Sequence, residues 1–559
     1  MNTLSSIQRP QIIYSLQDVT YDLLVIGGGI TGAGIALDAA SRGLKVALIE
    51  KDDFASGTSS KSTKLIHGGL RYLKQFEIQL VREVGQERAI VHKLAPHLVV
   101  AEKMLLPLVK GGTYGSFATS IGLWVYDILA GVKGEDRRRM LSMKATAKKE
   151  PLIRKDILQG GGFYAEYRTD DARLTIENIK TAVQQGAICL NYIKAEEFLY
   201  DEKGKVNGAI CIDQLSEEQF EIKANYIISA AGPWVDKLRK KDDSLKGKHL
   251  FLSKGVHIVV PHECFPIQHS VYFDVPDGRM IFAIPRNRVT YIGTTDTPYD
   301  GDINNIPIYQ EDADYLLKAV NQMFPDINLT KEDVESSWAG LRPLIHEEGK
   351  SASEMSRKDE IFESSTGLLS IAGGKLTGYR KMAERIVDMV AKKYQVASGQ
   401  KLKRNQTHNI PLIGGPFANA KEVTQYTESI HQELIAKGLE DYHASYLVAN
   451  YGKQSDAIIE KMNEYSSDPI HLALAKAELW FTVENELVIK PMDYFNRRTG
   501  RLYFDLPSIE KVLLPILREF QNYFLWDDAK VLEEKEKVKQ ECNRHARFEY
   551  EYQNVLEND

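Results

Sequence analysis

Residues 21–50 read YDLLVIGGGITGAGIALDAASRGLKVALIE, and this stretch decides the fold. Residues 21–26 form a short apolar run rich in strand formers, and three glycines end it. Small and apolar residues then recur at helical spacing over 31–42, and a second strand pattern occupies 45–50. Strand, glycine turn, helix, strand is a βαβ unit, which the right-handed crossover rule places in a parallel sheet covered by helices. The N-terminal part is therefore α/β.

Working outward, two later runs of the same buried type, YIISA at 226–230 and LLSI at 368–371, go straight into glycine and are expected to return to this first sheet. Between them, residues 257–261, 271–274, 279–285 and 289–294 are short strand patterns at hairpin-like spacing, which predict a second, mainly antiparallel sheet. Beyond about residue 404 the pattern turns helical. The expected fold is thus α/β: a discontinuous dinucleotide-binding domain (1–87, 160–243 and 349–404), an inserted antiparallel-sheet substrate-binding cap (88–159 and 244–348) and a C-terminal helical domain (405–559).

Composition agrees with a large soluble globular chain: 559 residues, 43% hydrophobic and 26% charged, close to globular averages. A net charge of −6 supplies no global field to attract nucleic acid, so no nucleic-acid partner is expected. Cys189, Cys211, Cys264 and Cys542 lack the paired spacing of a zinc site or a disulfide framework, and a reducing compartment is expected. The longest apolar run, residues 121–131, is interrupted by Asp127 and is too short to span a bilayer. Residues 131–156 carry nine Lys or Arg against four Asp or Glu, read here as a solvated segment rather than a lipid-binding patch.

Gly27, Gly29 and Gly32 fit G-x-G-x-x-G in the context that gives the pattern meaning, after a strand and opening a helix. The first glycine permits the tight turn, the second lets a pyrophosphate approach the backbone, and the third lets helix and strand pack closely. Glu50, at the end of the second strand, is placed to accept hydrogen bonds from the adenosine ribose. NAD and FAD fit this motif equally well. Residues 57–72, GTSSKSTKLIHGGLRY, favour FAD: a polar, glycine-rich stretch can wrap an extended cofactor, with Thr58, Ser59, Ser60, Lys64, Leu65, His67 and Gly69 as candidates. Two strand ends add Gly232 and, from AGGKLTGY at 372–379, Gly374, Lys375, Leu376 and Thr377. The second also opens a helix whose start can stabilise negative charge on a reduced flavin ring.

Taken together, GGGITGAGIALDAASRG (27–43), TSSKSTKLIHGGLRYL (58–73), AAGPWVD (230–236), KGVHIVVP (254–261), IGTTDTPYDGD (292–302), GLRPL (340–344) and AGGKLTGYRKMAE (372–384) resemble the FAD-dependent glycerol-3-phosphate dehydrogenases. The likeness runs with gaps from residue 21 to 393, and RRTGRLYFD at 497–505 extends it more weakly into the helical part. It implies oxidation of sn-glycerol 3-phosphate at C2 to dihydroxyacetone phosphate. FAD takes the hydride at N5, and the membrane quinone pool reoxidises it. It further implies a cytoplasmic protein, peripheral at the inner face of the cell membrane, and is compatible with a homodimer. An oxygen-using glycerol-3-phosphate oxidase and an amine or amino-acid oxidase of the same fold remain alternatives.

A phosphorylated polyol calls for clustered cations. By similarity to the family, Arg342 and Arg357 fall to the phosphate, while Arg71 and Lys375 belong near the substrate oxygens or the flavin. Removing the hydroxyl proton needs a base with a pKa near working pH, for which histidine is the natural type. His67 is the preferred candidate. His257, in a strand, is an alternative site residue or a structural one, and Tyr72 and Trp234 are equally ambiguous. Thr295 and Asp296 are candidates to close the pocket from the inserted sheet. No cluster has the spacing of metal ligands, and no metal is expected.

Overall fold

The structure is a computed structural model that describes residues 3–67, 78–112, 137–346 and 359–548. The strand Thr20–Ile26 pairs in parallel with Val46–Ile49 on one side and Gln219–Ser229 on the other. Leu369–Gly373 continues this sheet in parallel beside Gln219–Ser229, and Ile188–Leu190 beside Val46–Ile49. The core strands have apolar residues on both faces, as a parallel sheet covered on both sides requires; Leu23, Leu24, Val25 and all of Val46–Ile49 are buried. The helix Ile30–Ser41 packs between Asp171–Gln184 and Tyr379–Ser398. Gly34 is needed at that contact, because a Cβ there would stand 2.9 Å from the Tyr379 ring.

The second sheet is built on Leu250–Pro261, which pairs antiparallel with Ser336–Ile345 and Val289–Gly293. It continues through Met280–Arg286 and Ser270–Asp274 to Val100–Val109, Leu158–Arg168 and the two-residue strand Leu65–Ile66. Among the described residues all its pairings are antiparallel except Ser270–Asp274 with Val100–Val109. The helix Gln310–Met323 covers one face, with Leu316, Leu317 and Val320 packed on Val256, Ile258 and Val260.

The C-terminal part is helical. In Leu506–Phe524, Ile509, Val512, Leu513, Ile516, Leu517 and Phe520 are buried, the three- and four-residue spacing of one helix face. That face shares a core with Trp338, Tyr291 and Val259 of the second sheet. The four cysteines carry no disulfide. No helix among the described residues is long and apolar enough to cross a membrane. The apolar run 121–131 lies outside the described residues, as does part of the basic stretch 131–156.

Candidate functional site

The end of the strand Thr20–Ile26 opens a cavity of about 360 Å³ between the two sheets. Gly27 adopts φ +120, and a Cβ on it would meet the Ala230 carbonyl oxygen at 2.5 Å; only glycine takes this turn without strain. Gly32 brings the following helix against the turn so closely that a Cβ would overlap the Gly27 carbonyl. Gly29 is the N-cap of Ile30–Ser41 and carries no capping side chain of its own. Instead the Ile30 amide donates to Ser59 Oγ at 2.9 Å. A helix start with its partial positive charge thus opens onto the cavity beside a hydroxyl loop, the arrangement that holds phosphates.

Glu50 ends the neighbouring strand. Its carboxylate accepts from the Gly28 amide at 2.7 Å and the Asp52 amide at 3.0 Å. Burial pushes its pKa up, with the two amides opposing. The carboxylate lines the cavity one strand away from the helix start, the position of the ribose-binding acid in the dinucleotide motif.

From there the cavity passes Thr58, Ser59, Leu65, His67, Gly232, Gly374, Lys375, Leu376 and Thr377, all of which line it. Thr58 is fixed by its hydroxyl to the Leu341 carbonyl at 2.7 Å, and Thr377 reaches the His67 carbonyl at 3.3 Å. Trp234 also lines it, with its indole N–H on Asn304 at 2.9 Å. Two candidates of the hydroxyl loop sit elsewhere. Ser60 is buried beneath the loop, and Lys64 is a strut: its ammonium bonds the Ser60 carbonyl and Asp171, tying the loop to the helix Asp171–Gln184. Gly32 is likewise a packing position behind the cavity wall.

The far end is built by the second sheet. Arg342 stands across from Ser253 in the Ser336–Ile345 and Leu250–Pro261 pair. Its guanidinium lies over Gly255, where a Cβ would collide with it. It donates to Thr294 Oγ1 at 2.9 Å, to the Thr295 carbonyl at 3.3 Å and to Asp296 at 3.2 Å. Asp296 is itself held by the Ser253 hydroxyl. Thr295 faces inward, taking the Val256 amide at 3.0 Å. His257 is 1% exposed, stacks on Trp338 at 4.8 Å between centroids, and meets Thr63 Oγ1 through Nε2 at 3.0 Å. Burial, then Arg342 and Lys64, hold its pKa well below the ordinary value, so the ring stays neutral at physiological pH. Gly69, Arg71, Tyr72 and Arg357 lie outside the described residues.

The sequence reading passed over three positions. Thr294 and Thr63, which hold Arg342 and His257, were inside quoted motifs but carried no charge to draw notice. Asp53 receives two bonds from Arg498, both at 2.8 Å, and a further one from Arg497. The signal for it lay in the arginine pair of RRTGRLYFD, unusual in a segment otherwise read as plain helix.

What the cavity can hold follows from its polar groups: a helix start with hydroxyls for a diphosphate, a carboxylate acceptor for a ribose, and cations at the other end for an anionic substrate. FAD fits this order of groups. Residues 22–380 match the family described as FAD dependent oxidoreductase, and residues 405–531 match the C-terminal domain of alpha-glycerophosphate oxidase. The aerobic glycerol-3-phosphate dehydrogenase of Bacillus subtilis is 52% identical over 530 residues, 94% of this chain and 95% of that protein. The glycerol-3-phosphate dehydrogenase of Bacillus halodurans, solved in complex with FAD, is 43% identical with a TM-score of 0.83, covering 98% of this chain and 99% of its own. The L-alpha-glycerophosphate oxidase of Mycoplasma pneumoniae, at 20% identity and a TM-score of 0.54 over 69% of this chain and 97% of its own, shares the fold.

Proposed function

The chain belongs to the FAD-dependent oxidoreductase family, among its aerobic glycerol-3-phosphate dehydrogenases, and from that premise we propose that it oxidises sn-glycerol 3-phosphate at C2 to dihydroxyacetone phosphate and passes the electrons to a membrane quinone. One observation carries this reading: the cavity that starts at the Gly27–Gly29 turn also contains Arg342, Lys375 and His67. Bound FAD supplies the hydride acceptor.

The chain's own residues do the rest. Gly29 and the start of Ile30–Ser41, with Ser59, hold the diphosphate, and Glu50 receives the ribose hydroxyls. Thr58, Leu65, Gly232, Gly374, Leu376 and Thr377 line the path to the ring. Arg342 takes the substrate phosphate, exchanging part of its contact with Asp296 for it, and Thr294 keeps the guanidinium in place. Lys375 lies by the substrate oxygens and lowers the cost of forming an alkoxide there. His67 accepts the C2 hydroxyl proton. His257 is unsuited to that step, because a ring held neutral so far below pH 7 binds a proton poorly; its place is to wall the site. The protein acts as a peripheral membrane enzyme on the cytoplasmic side, which is where a quinone acceptor and a phosphorylated substrate meet.

Anaerobic addition of sn-glycerol 3-phosphate to the purified protein is expected to bleach the flavin absorption band, and a quinone analogue to restore it faster than oxygen does. A band that persists with this substrate would overturn the reaction; faster recovery with oxygen would overturn the acceptor.

A further inference from the structure

We infer that Lys61 is a phosphate-binding cation of this cavity, a role separate from those of Arg342 and Lys375. The inference rests on the cavity being the cofactor and substrate site.

Lys61 lies between the Thr58–Ser60 turn and the strand Leu65–Ile66, and it lines the cavity. Its backbone is fixed on both sides. The amide bonds the Thr58 carbonyl at 3.2 Å, and its own carbonyl packs so close to Gly340 that a Cβ there would overlap it. The side chain is therefore carried by a rigid loop, yet among the described residues no acid pairs with its ammonium and no acceptor takes its hydrogens. Lys64, three residues on in the same motif, is the contrast: buried, bonded to Ser60 and Asp171, its charge already answered.

The groups facing Lys61 make this arrangement costly. Arg497 comes from the turn Asp493–Arg498; Glu541, Arg544 and His545 come from the helix Asp528–Ala546; Asp52 comes from the loop after Glu50. His545 is neutral, since burial drives its pKa down to about 4. Both acids are outmatched, and Arg497 and Arg544 already engage Asp53 and Glu541. Burial, then the two guanidiniums, pushes the Lys61 ammonium down to about 8. A half-exposed cation set in a cleft beside two guanidiniums, with no acid bonded to it, is unfavourable, and an arriving anion reverses the sign. Two phosphates enter this cavity, the diphosphate of the dinucleotide and the ester phosphate of the substrate, and the chemistry at Lys61 is the same for both.

The two are separated by two titrations on wild type, Lys61→Met and Lys61→Arg, with circular dichroism and melting temperature confirming that each is folded. In the first, FAD is titrated into apoprotein and followed by flavin fluorescence and by calorimetry in buffers of different ionisation heat. In the second, inorganic phosphate is titrated into oxidised holoenzyme and followed by the flavin spectrum. Lys61→Met is expected to weaken one of the two by about ten- to a hundredfold, the size of one charge-assisted hydrogen bond, with Lys61→Arg restoring most of it. The weakened arm identifies the phosphate. Where FAD is the weakened arm, calorimetry is expected to show wild type taking up more protons per ligand near pH 9 than near pH 6.5, because the free ammonium at about 8 is then partly neutral, and Lys61→Met is expected to lack this difference. Equal affinities for wild type and Lys61→Met in both arms, with equal proton uptake in the FAD arm, would overturn the inference while leaving the cavity's assignment standing. Wild-type protein that binds no FAD would instead overturn that assignment.

Discussion

The ion pair between Arg342 and Asp296 makes a quantitative prediction possible. Truncating Arg342 to alanine removes a charge-assisted contact to the substrate phosphate, worth about 1.5–3 kcal/mol. It also uncovers Asp296, whose side chain is 13% exposed and which keeps the Ser253 hydroxyl but loses the guanidinium that stands between its charge and the phosphate. At an effective dielectric constant of about 20, two like charges about 6 Å apart repel by roughly 3 kcal/mol. Because the Arg342 side chain is 21% exposed, water entering its place screens that repulsion, and we halve it. The sum is about 3–4.5 kcal/mol, or a loss of roughly 150- to 2000-fold in kcat/KM. The double variant Arg342→Ala/Asp296→Asn lacks the uncovered charge and is expected to recover about tenfold over Arg342→Ala. FAD content is expected to stay stoichiometric throughout, because the guanidinium lies at the substrate end. The assay is steady-state reduction of a quinone analogue, with flavin quantified after denaturation. A double variant no better than Arg342→Ala, or flavin lost from either, would refute this placement.

Three further outcomes follow from other parts of the cavity. Gly29→Val places a branched side chain toward Ser59 Oγ, which a Cβ alone would approach to 3.1 Å, so it is expected to yield folded but colourless protein; full flavin content by absorbance would contradict the diphosphate position. His67→Asn is expected to lower kcat by about 10²–10⁴ and to remove the acidic limb of the pH–rate profile while FAD stays bound, and an unchanged profile would reassign the base. Stability is expected to fall as pH falls from about 6.5: burial drives His97 down to about 3, so the unfolded chain protonates first. In Glu486, burial is outweighed by Arg173 and Lys180, which hold its pKa at about 2. Its contribution is complete above the ordinary value of 4.5 and is lost as pH falls toward 2. Both shifts make the unfolded state bind more protons, so stability rises with pH over this window. A melting temperature flat between pH 7 and pH 4 would count against His97, and one flat between pH 4.5 and pH 2 against Glu486.

Much of this was legible in the chain because the responsible residues are local. Gly27 to Gly32 and Glu50 form one βαβ unit, and the strand ends at Gly232 and Gly374 follow apolar runs that only a covered parallel sheet accommodates. The second sheet was legible where β-branched residues dominate, as in 257–261 and 289–294. It was opaque at Val100–Val109 and Leu158–Arg168, because the first contains Pro107 and the second three consecutive glycines, residues that weaken strand propensity. The pairing explains them: Pro107 sits opposite Gly161, and a Cβ on Gly160 would come within 2.7 Å of the Leu141 carbonyl. Propensity lost locally is repaid by close packing with partners distant in sequence. Lys61 and Lys64 show the same limit. Both stand in one motif, and nothing in the spacing says that one is answered by Asp171, more than a hundred residues away, while the other bonds no acid among the described residues.

The C-terminal helices bear on the cofactor loop more directly than their place in the chain suggests. Asp53, three residues after Glu50, is fully desolvated; that cost is outweighed by Arg498 and Arg497, which keep its pKa well below the ordinary value. Asn191 supplies a further hydrogen bond at 2.9 Å. A buried carboxylate of this kind is poorly tolerated without its partners, since removing one leaves a charge that water cannot reach. The loop that turns Glu50 toward the cavity is therefore held by residues from 497–498. The same segment leads into Tyr503 and Phe504, which pack on Trp338 beneath His257. Both ends of the cavity, the nucleotide loop and the strand behind the substrate cations, thus rest on one short stretch, and the helical part is a support of the site rather than a separate appendage.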